Sequence, residues 1–330
     1  MRHLSFTRRI PAVHSNGGIR RESLVPMATS PPALPATACS AASRAHDEPL
    51  AGSAATATTW LCLEQPGPWG RDALTQSHLD TGLAAELAAR AKGTGVRVLL
   101  IRRPGPHPDR HRPTPRRVYL AHTAPGRAFL RRDTFADPKL LLDLDFAAAG
   151  SGEVGGFGDP VTWPVLLVCT NGRRDVCCAV LGRRVAADLA ATHGDAVWEC
   201  THIGGHRFAP TGVLLPTGYT YGDLDTTRAR ALLTDTAVVT DRCRGRSTWA
   251  PAGQTAELAV RDLTNTTHPD VLRVRDPELD DDGHWRVTVR HVDGRGWRVT
   301  VAEHTTGPDR PASCGAYPGP VTTHHVLRID

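Results

Sequence analysis

The order of apolar and polar residues divides the chain from residue 57 onward into alternating strands and helices. Strands are predicted for ATTWLCLEQ and GVRVLLIRR, which flank an amphipathic helix in LDTGLAAELAARAKG that ends at Gly93. Two more strands are predicted for RVYLAHT and RAFLRRDTF. These elements predict a first α/β domain over residues 57–150.

A second α/β unit is predicted over residues 151–236, after a glycine-rich stretch. The apolar segment WPVLLVCT predicts a strand that ends at Cys169, and CCAVLGRRVAADLAATHG predicts a helix from about Cys177 to Thr192. Further strands are predicted for AVWECTHI, GVLLP and TGYTYGDL, and a closing helix for TTRARALLTDT. This order is typical of a thioredoxin-like fold. The two units share it, as an internal duplication would produce, but they share no motif.

The two ends of the chain have different compositions. Residues 1–56 are rich in Ala, Ser, Thr and Pro, which predicts a disordered or docked tail, with the true start expected at Met27. Residues 237–330 contain a predicted helix, GQTAELAVRDLT, and a predicted hairpin in which WRVTVRHV and WRVTVAEH flank DGRG. We therefore predict an α/β protein (α+β overall) with a small C-terminal α+β region.

The composition, with 40% hydrophobic and 22% charged residues, is that of a soluble folded protein. The net charge of +5 comes from arginines scattered among Asp and Glu, and the only lysines are Lys92 and Lys139. This balance indicates a GC-rich bacterial genome rather than a phosphate-binding surface, so we expect no nucleic-acid binding. No apolar stretch approaches the roughly 18 residues of a membrane span, and no signal-peptide core is visible, which predicts a cytoplasmic protein.

Four potential metal ligands lie at the tips of elements in the second unit. Cys169 ends a strand, Cys178 begins the next helix, and His202 and His206 follow the next strand. The carboxyl ends of strands and the start of the following helix face one crevice, so we expect these side chains to converge.

The two histidines are separated by a pair of glycines in HIGGH. Gly204 and Gly205 disfavour a helix there by about 1 kcal/mol each relative to alanine. They predict a tight loop that turns both imidazoles inward, where a side chain would meet the metal site.

The segments CTNGRRDVCC and HIGGHRFAPTGVLLPTGYTYGDL resemble the sucrase/ferredoxin-like family, whose domain is a thioredoxin-like ferredoxin with Cys-x8-Cys followed by H-x-G-G-H. WLCLEQPGPWGRDAL also resembles the N-terminal region of that family. The resemblance covers roughly residues 39–224. It departs from the family at Asn171, which stands where a non-ligand histidine is usual.

This resemblance implies a bis-histidinyl [2Fe-2S] cluster, with Cys169 and Cys178 on one iron and His202 and His206 on the other. The family spacing selects Cys178 and leaves Cys177 as a buried or auxiliary thiol. Such a cluster implies electron transfer with an unidentified reductase or acceptor. We expect an electron carrier or redox protein rather than a hydrolase, and no sucrase activity.

The charged residues that flank these ligands have two interpretations. Arg173, Arg174, Asp175 and Arg207 are explained by loop solvation, with Asp175 capping the helix that begins near Cys177. Alternatively, the arginines stabilise the cluster or bind an acidic redox partner.

Two other kinds of site remain open. One is a thiol-disulfide redox site using Cys177 or Cys178, and the other is a structural zinc site with two cysteines and two histidines. The remaining cysteines show no informative spacing: Cys39, Cys62, Cys200, Cys243 and Cys314.

Overall fold

A ten-stranded mixed sheet runs through most of the protein in a computed structural model that describes residues 34–106, 115–235, 237–305 and 307–330. The predicted start at Met27 lies outside the described residues. Within the predicted tail, residues 39–45 form helix α1 (Cys39–Ala45), which buries Cys39 and Ser43. None of the helices in these four ranges is long and apolar enough to cross a bilayer.

The first half of the sheet has the predicted elements. They are β1 (Thr59–Glu64), α2 (Thr81–Ala91), β2 (Val96–Arg102), β3 (Arg116–His122) and β4 (Phe129–Phe135). Helix α2 begins where Asp80 accepts a hydrogen bond from the Leu83 N–H at 2.8 Å, and it buries Leu83 and Leu87. Strand β2 lies parallel to β1, β3 is antiparallel to β1, and β4 is antiparallel to β3. A 3₁₀ turn, helix α3 and a short edge strand follow: Pro138–Asp143, α3 (Phe146–Gly150) and β5 (Asp159–Pro160).

The second half repeats this arrangement. Strand β6 (Val165–Cys169) is followed by a helix whose first turn, Cys178–Gly182, is π-helical and which continues as α4 (Arg183–His193). The remaining elements are β7 (Val197–Cys200), β8 (Gly212–Leu215), β9 (Tyr219–Tyr221) and α5 (Thr226–Thr234). Strand β7 lies parallel to β6, β8 is antiparallel to β6, and β9 is antiparallel to β8. The predicted α/β class is confirmed, and so is the element order on which the thioredoxin-like assignment rested.

The two halves are joined through equivalent strands. Strand β2 of the first half pairs antiparallel with β7 of the second, with Ile101 opposite Cys200 and Arg102 opposite Glu199. The strand order is therefore β10, β9, β8, β6, β7, β2, β1, β3, β4, β5. The proposed boundary near residue 150 remains a prediction, and the strands on its two sides belong to one sheet.

The C-terminal region adds one strand to this sheet and builds a smaller one. Strand β10 (Cys243–Arg246) pairs with β9, and helix α6 (Pro251–Thr264) contains the predicted helix. The predicted hairpin is β13 (Trp285–His291) with β14 (Gly296–Thr305). The other strands are β11 (Leu272–Val274), β12 (Glu278–Leu279), β15 (Arg310–Pro311), β16 (Pro318–Gly319) and β17 (Thr322–Ile329). Residues Leu34–Asp330 form one compact unit.

A buried layer on one face of the large sheet contains most of the cysteines. Trp60 and Trp198 are fully buried there beside Cys169, Cys178 and Ile203. Strand β6 ends at Cys169 in this layer, so the predicted ligands lie at the boundary between the apolar core and the loops.

Candidate metal centre

The loop between β6 and the following helix reverses the direction of the chain and brings Cys178 next to Cys169. The Asn171 carbonyl accepts the Arg174 and Asp175 N–H groups at 3.2 and 3.1 Å. The Asn171 amide also donates to the Gly70 carbonyl at 3.2 Å. Asn171, where the chain departs from the family pattern, thus anchors the loop to the first half of the protein.

The two predicted cysteine ligands are buried and act on each other. The pKa of the Cys169 thiol lies well below its ordinary value because the Cys178 thiol donates to it, an effect that outweighs burial. The same interaction raises the pKa of Cys178 well above the ordinary value. The nearby His202 ring lowers the pKa of Cys169 further. Cys169 therefore interacts with both Cys178 and His202.

The two predicted histidine ligands face each other across the glycine pair. Their ring centroids are 5.1 Å apart, and His206 starts a 3₁₀ turn, so the segment is a loop rather than a helix. Gly204 and Gly205 have φ values of +85° and +66°, which side chains rarely adopt. At Gly205 a Cβ would collide with the Arg244 guanidinium, so the crowding comes from Arg244 rather than from the metal site.

Both imidazoles have a buried nitrogen that is not hydrogen-bonded. Within the described part of the chain, the Nδ1 atoms of His202 and His206 have no partner. Leaving such an atom unsatisfied costs about 1–3 kcal/mol, so two of them in one loop need an explanation. Burial lowers the pKa of His206, which favours the neutral ring that binds metals. Nitrogen donors of this kind fit a metal centre.

Arg244, which sequence analysis did not single out, binds the backbone of the histidine loop. Its guanidinium is buried and donates to the Gly204 carbonyl at 3.0 Å, to the Ser53 hydroxyl at 3.0 Å and to the Ser53 carbonyl. Burial lowers its pKa to about 9. In the sequence it belongs to a short basic run that gave no sign of burial.

Asp175 accepts the Cys177 N–H at 2.9 Å, as expected for a cap, and also the Cys314 N–H at 2.8 Å. Although burial raises its pKa, those N–H groups and His206, whose Nε2 is 3.8 Å away, hold the pKa below the ordinary value. Arg207 pairs with Glu48 at 2.5 Å.

A cavity of about 370 Å³ opens beside the histidine loop. His202 lines it together with Arg71, Arg97 and Arg174. Arg97 also donates to the His202 carbonyl at 3.1 Å. This cavity therefore presents three arginines and one carboxylate, that of Asp72, next to one of the predicted ligands.

Cys177 lies apart from Cys169 and instead meets two cysteines from remote positions. Its Sγ is 3.7 Å from that of Cys39 and 3.2 Å from that of Cys314, and the last two are 3.6 Å apart. The pKa of Cys177 is lowered to about 6 because the Cys39 thiol donates to it. Sequence analysis missed this arrangement because no local spacing connects residues 39, 177 and 314.

Two groups of three or more ligands in the described ranges have all their ligand atoms within 4.8 Å of one another. The first group lies in a surface turn and consists of Asp280, Asp282 and His284. The second is the cysteine group, which consists of Cys39, Asp175, Cys177 and Cys314. The four predicted cluster ligands are not among these groups. Their pairwise interactions join Cys169 to Cys178, Cys169 to His202, and His202 to His206.

Comparison with known proteins gives one finding. The family model described as Sucrase/ferredoxin-like matches residues 50–246. No curated protein and no solved structure matches the chain significantly. The matched range includes both predicted cysteine ligands and the whole histidine loop, but neither Cys39 nor Cys314.

Proposed function

The chain belongs to the sucrase/ferredoxin-like family, and we propose that it binds one [2Fe-2S] cluster through Cys169, Cys178, His202 and His206 and acts in electron transfer. The observation that carries this proposal is the pair of buried, unpartnered imidazole nitrogens beside a buried cysteine pair. In the part of the chain described, no other side chain satisfies those nitrogens.

The pairing of the ligands favours a cluster over a single ion. Four ligands of one zinc ion must all lie close together, whereas a cluster with two irons takes one ligand pair on each iron. The four side chains do not form a group within 4.8 Å, although Cys169 interacts with Cys178 and with His202 and the two imidazoles face each other. This arrangement supports two neighbouring pairs and argues against a zinc site with two cysteines and two histidines.

A thiol-disulfide site formed by Cys177 together with Cys178 is also less well supported. Cys177 and Cys178 are adjacent in sequence but interact with different groups, Cys177 with Cys39 and Cys314 and Cys178 with Cys169. A redox pair would need the two thiols to face each other.

When bound, a [2Fe-2S] cluster supplies a site that accepts and releases one electron. With two thiolates and two neutral imidazoles its oxidised form is less negative than one with four thiolates, so reduction is easier and the potential is higher. The chain contributes burial, two loops and two imidazoles. Arg71, Arg97 and Arg174 line the cavity beside His202, which suits docking of an acidic redox partner there.

Analysis of iron and acid-labile sulfide in anaerobically purified protein tests this function. We expect equimolar iron and sulfide, a coloured protein and a reversible one-electron reduction. Protein without sulfide, even after reconstitution with iron and sulfide, would contradict the proposal.

A further inference from the structure

Three cysteines from distant parts of the chain meet beside the proposed cluster site, together with one carboxylate. Cys39 begins α1, Cys177 precedes the helix after β6, and Cys314 lies in the turn between β15 and β16. We propose that Cys39, Cys177, Cys314 and Asp175 bind one zinc ion at a site separate from the cluster.

Most of the distances agree with a tetrahedral zinc site, and the Cys177–Cys314 separation is shorter than such a site requires. With Zn–S bonds of about 2.3 Å, tetrahedral ligands place two sulfurs about 3.8 Å apart. The three Sγ separations are 3.7, 3.2 and 3.6 Å. A Zn–O bond of about 2.0–2.2 Å places the oxygen about 3.6 Å from each sulfur. The distance from Asp175 Oδ2 to Cys39 Sγ is 3.5 Å.

The carboxylate is fixed in the way that metal-binding carboxylates usually are. Asp175 has a fully buried side chain, and each of its oxygens accepts a backbone N–H from one of the proposed cysteine ligands, Cys177 or Cys314. Each oxygen keeps a second lone pair for the metal. The ligands thus orient one another before any ion binds.

The ligand set selects zinc and a structural role. Thiolates favour zinc, copper(I) and iron–sulfur centres, and four protein ligands leave a tetrahedral zinc ion no open position for catalysis. Cys39 and Cys177 are buried, and Cys314 is only partly exposed. A closed site of this kind joins elements of the fold.

Binding would connect three segments around the histidine loop. Helix α1 packs against the turn His206–Phe208 and against β15, and Cys314 follows β15. Glu48, just after α1, pairs with both Arg207 and Arg310 and makes a second connection between the same segments. The zinc ion would therefore hold α1 and the β15–β16 turn over the buried side of the proposed cluster site.

Zinc, iron and sulfide contents of one set of variants test the site. Untagged full-length protein is incubated anaerobically with a small excess of Zn²⁺, desalted and analysed as wild type, Cys39→Ser, Cys314→Ser and Cys243→Ser. Cys243 is the control because it is a buried thiol that donates to the Thr220 carbonyl in β9. We expect about one zinc per chain in wild type and Cys243→Ser, loss of that zinc in the other two, and unchanged iron and sulfide in all four.

Four results would overturn the inference. These are absence of zinc from wild type, retention of zinc in Cys314→Ser, loss of iron and sulfide together with the zinc, or a disulfide between these cysteines in freshly isolated protein. Cys314 lies in a partly exposed turn, so its replacement keeps the fold and makes that variant decisive. If wild type contains no sulfide but loses zinc in Cys314→Ser, the cluster proposal fails and the zinc site stands.

Discussion

The carboxylate of Asp175 accepts the backbone N–H of Cys314 at 2.8 Å, across 139 residues of sequence. Its other oxygen accepts the N–H of Cys177. One buried side chain thus fixes the position of two thiols that belong to different parts of the fold.

Asp175→Asn should weaken this connection, because an amide offers one acceptor oxygen where two N–H groups need two. We expect the free energy of unfolding to fall by about 1–3 kcal/mol and Zn²⁺ affinity to decrease. Urea denaturation and Zn²⁺ competition measurements check this. Asp143→Asn, at an exposed position, is the control, and an equal loss in both variants would contradict the assigned role.

The register of the cysteine ligands is tested by serine replacements. Cys169→Ser and Cys178→Ser should remove the visible absorption of the iron-loaded protein, because these two thiols lie together. Cys177→Ser should keep it, because Cys177 faces Cys39 and Cys314. Bleaching by Cys177→Ser alone would move the ligand assignment by one residue.

The histidine ligands are tested through the midpoint potential. His202→Cys or His206→Cys replaces a neutral ligand by a thiolate, so the site becomes more negative and the potential should fall while a cluster still assembles. Redox titration followed by absorbance gives the potential. If both variants keep the wild-type potential, the two imidazoles are not ligands.

Arg244 is tested by a replacement that keeps its bulk and removes its donors. Arg244→Met should leave the Gly204 and Ser53 carbonyls without their buried partner, at a cost of on the order of 1–3 kcal/mol, and should speed cluster loss to an iron chelator. Arg242→Met, two residues away and about a third exposed, is the matched control. Similar chelation rates for the two variants would exclude a role for Arg244 in holding the loop.

The stability of the protein should fall in mild acid because of His122. Its pKa lies below the ordinary value because the ring is buried and close to Arg127 and Arg246. The unfolded chain therefore binds more protons below about pH 6.5. The stabilisation is complete above that pH and is lost as pH falls through the folded pKa. Denaturation curves over this range should show a shallower decline for His122→Gln than for wild type, and equal declines for the two proteins would contradict the role of His122.

Local patterns predicted most of the elements because alternation and helical periodicity record which face is buried. The two cysteines and two histidines were proposed from their places at the tips of β6, the following helix and the loop after β7, and the family spacing selected Cys178; this ligand assignment remains a prediction. The contact between Cys39, Cys177 and Cys314 was not predictable, because it depends on how the outer segments pack. Nor was the β2–β7 pairing, because backbone hydrogen bonds between strands carry almost no sequence signal. Arg244 was missed because a buried arginine looks like a solvated one in sequence.

The pairing of β2 with β7 determines which parts of the chain can be removed without exposing a strand edge. A fragment limited to residues 151–236 would expose β7 as an open edge and would take Arg102 away from the buried Glu199 carboxylate, which it now contacts at 2.8 Å. Exposed edges invite self-association, and breaking a buried ion pair costs about 3–5 kcal/mol. Each half of the large sheet thus shields the other from aggregation, and a minimal soluble fragment that contains the candidate metal centre must include both.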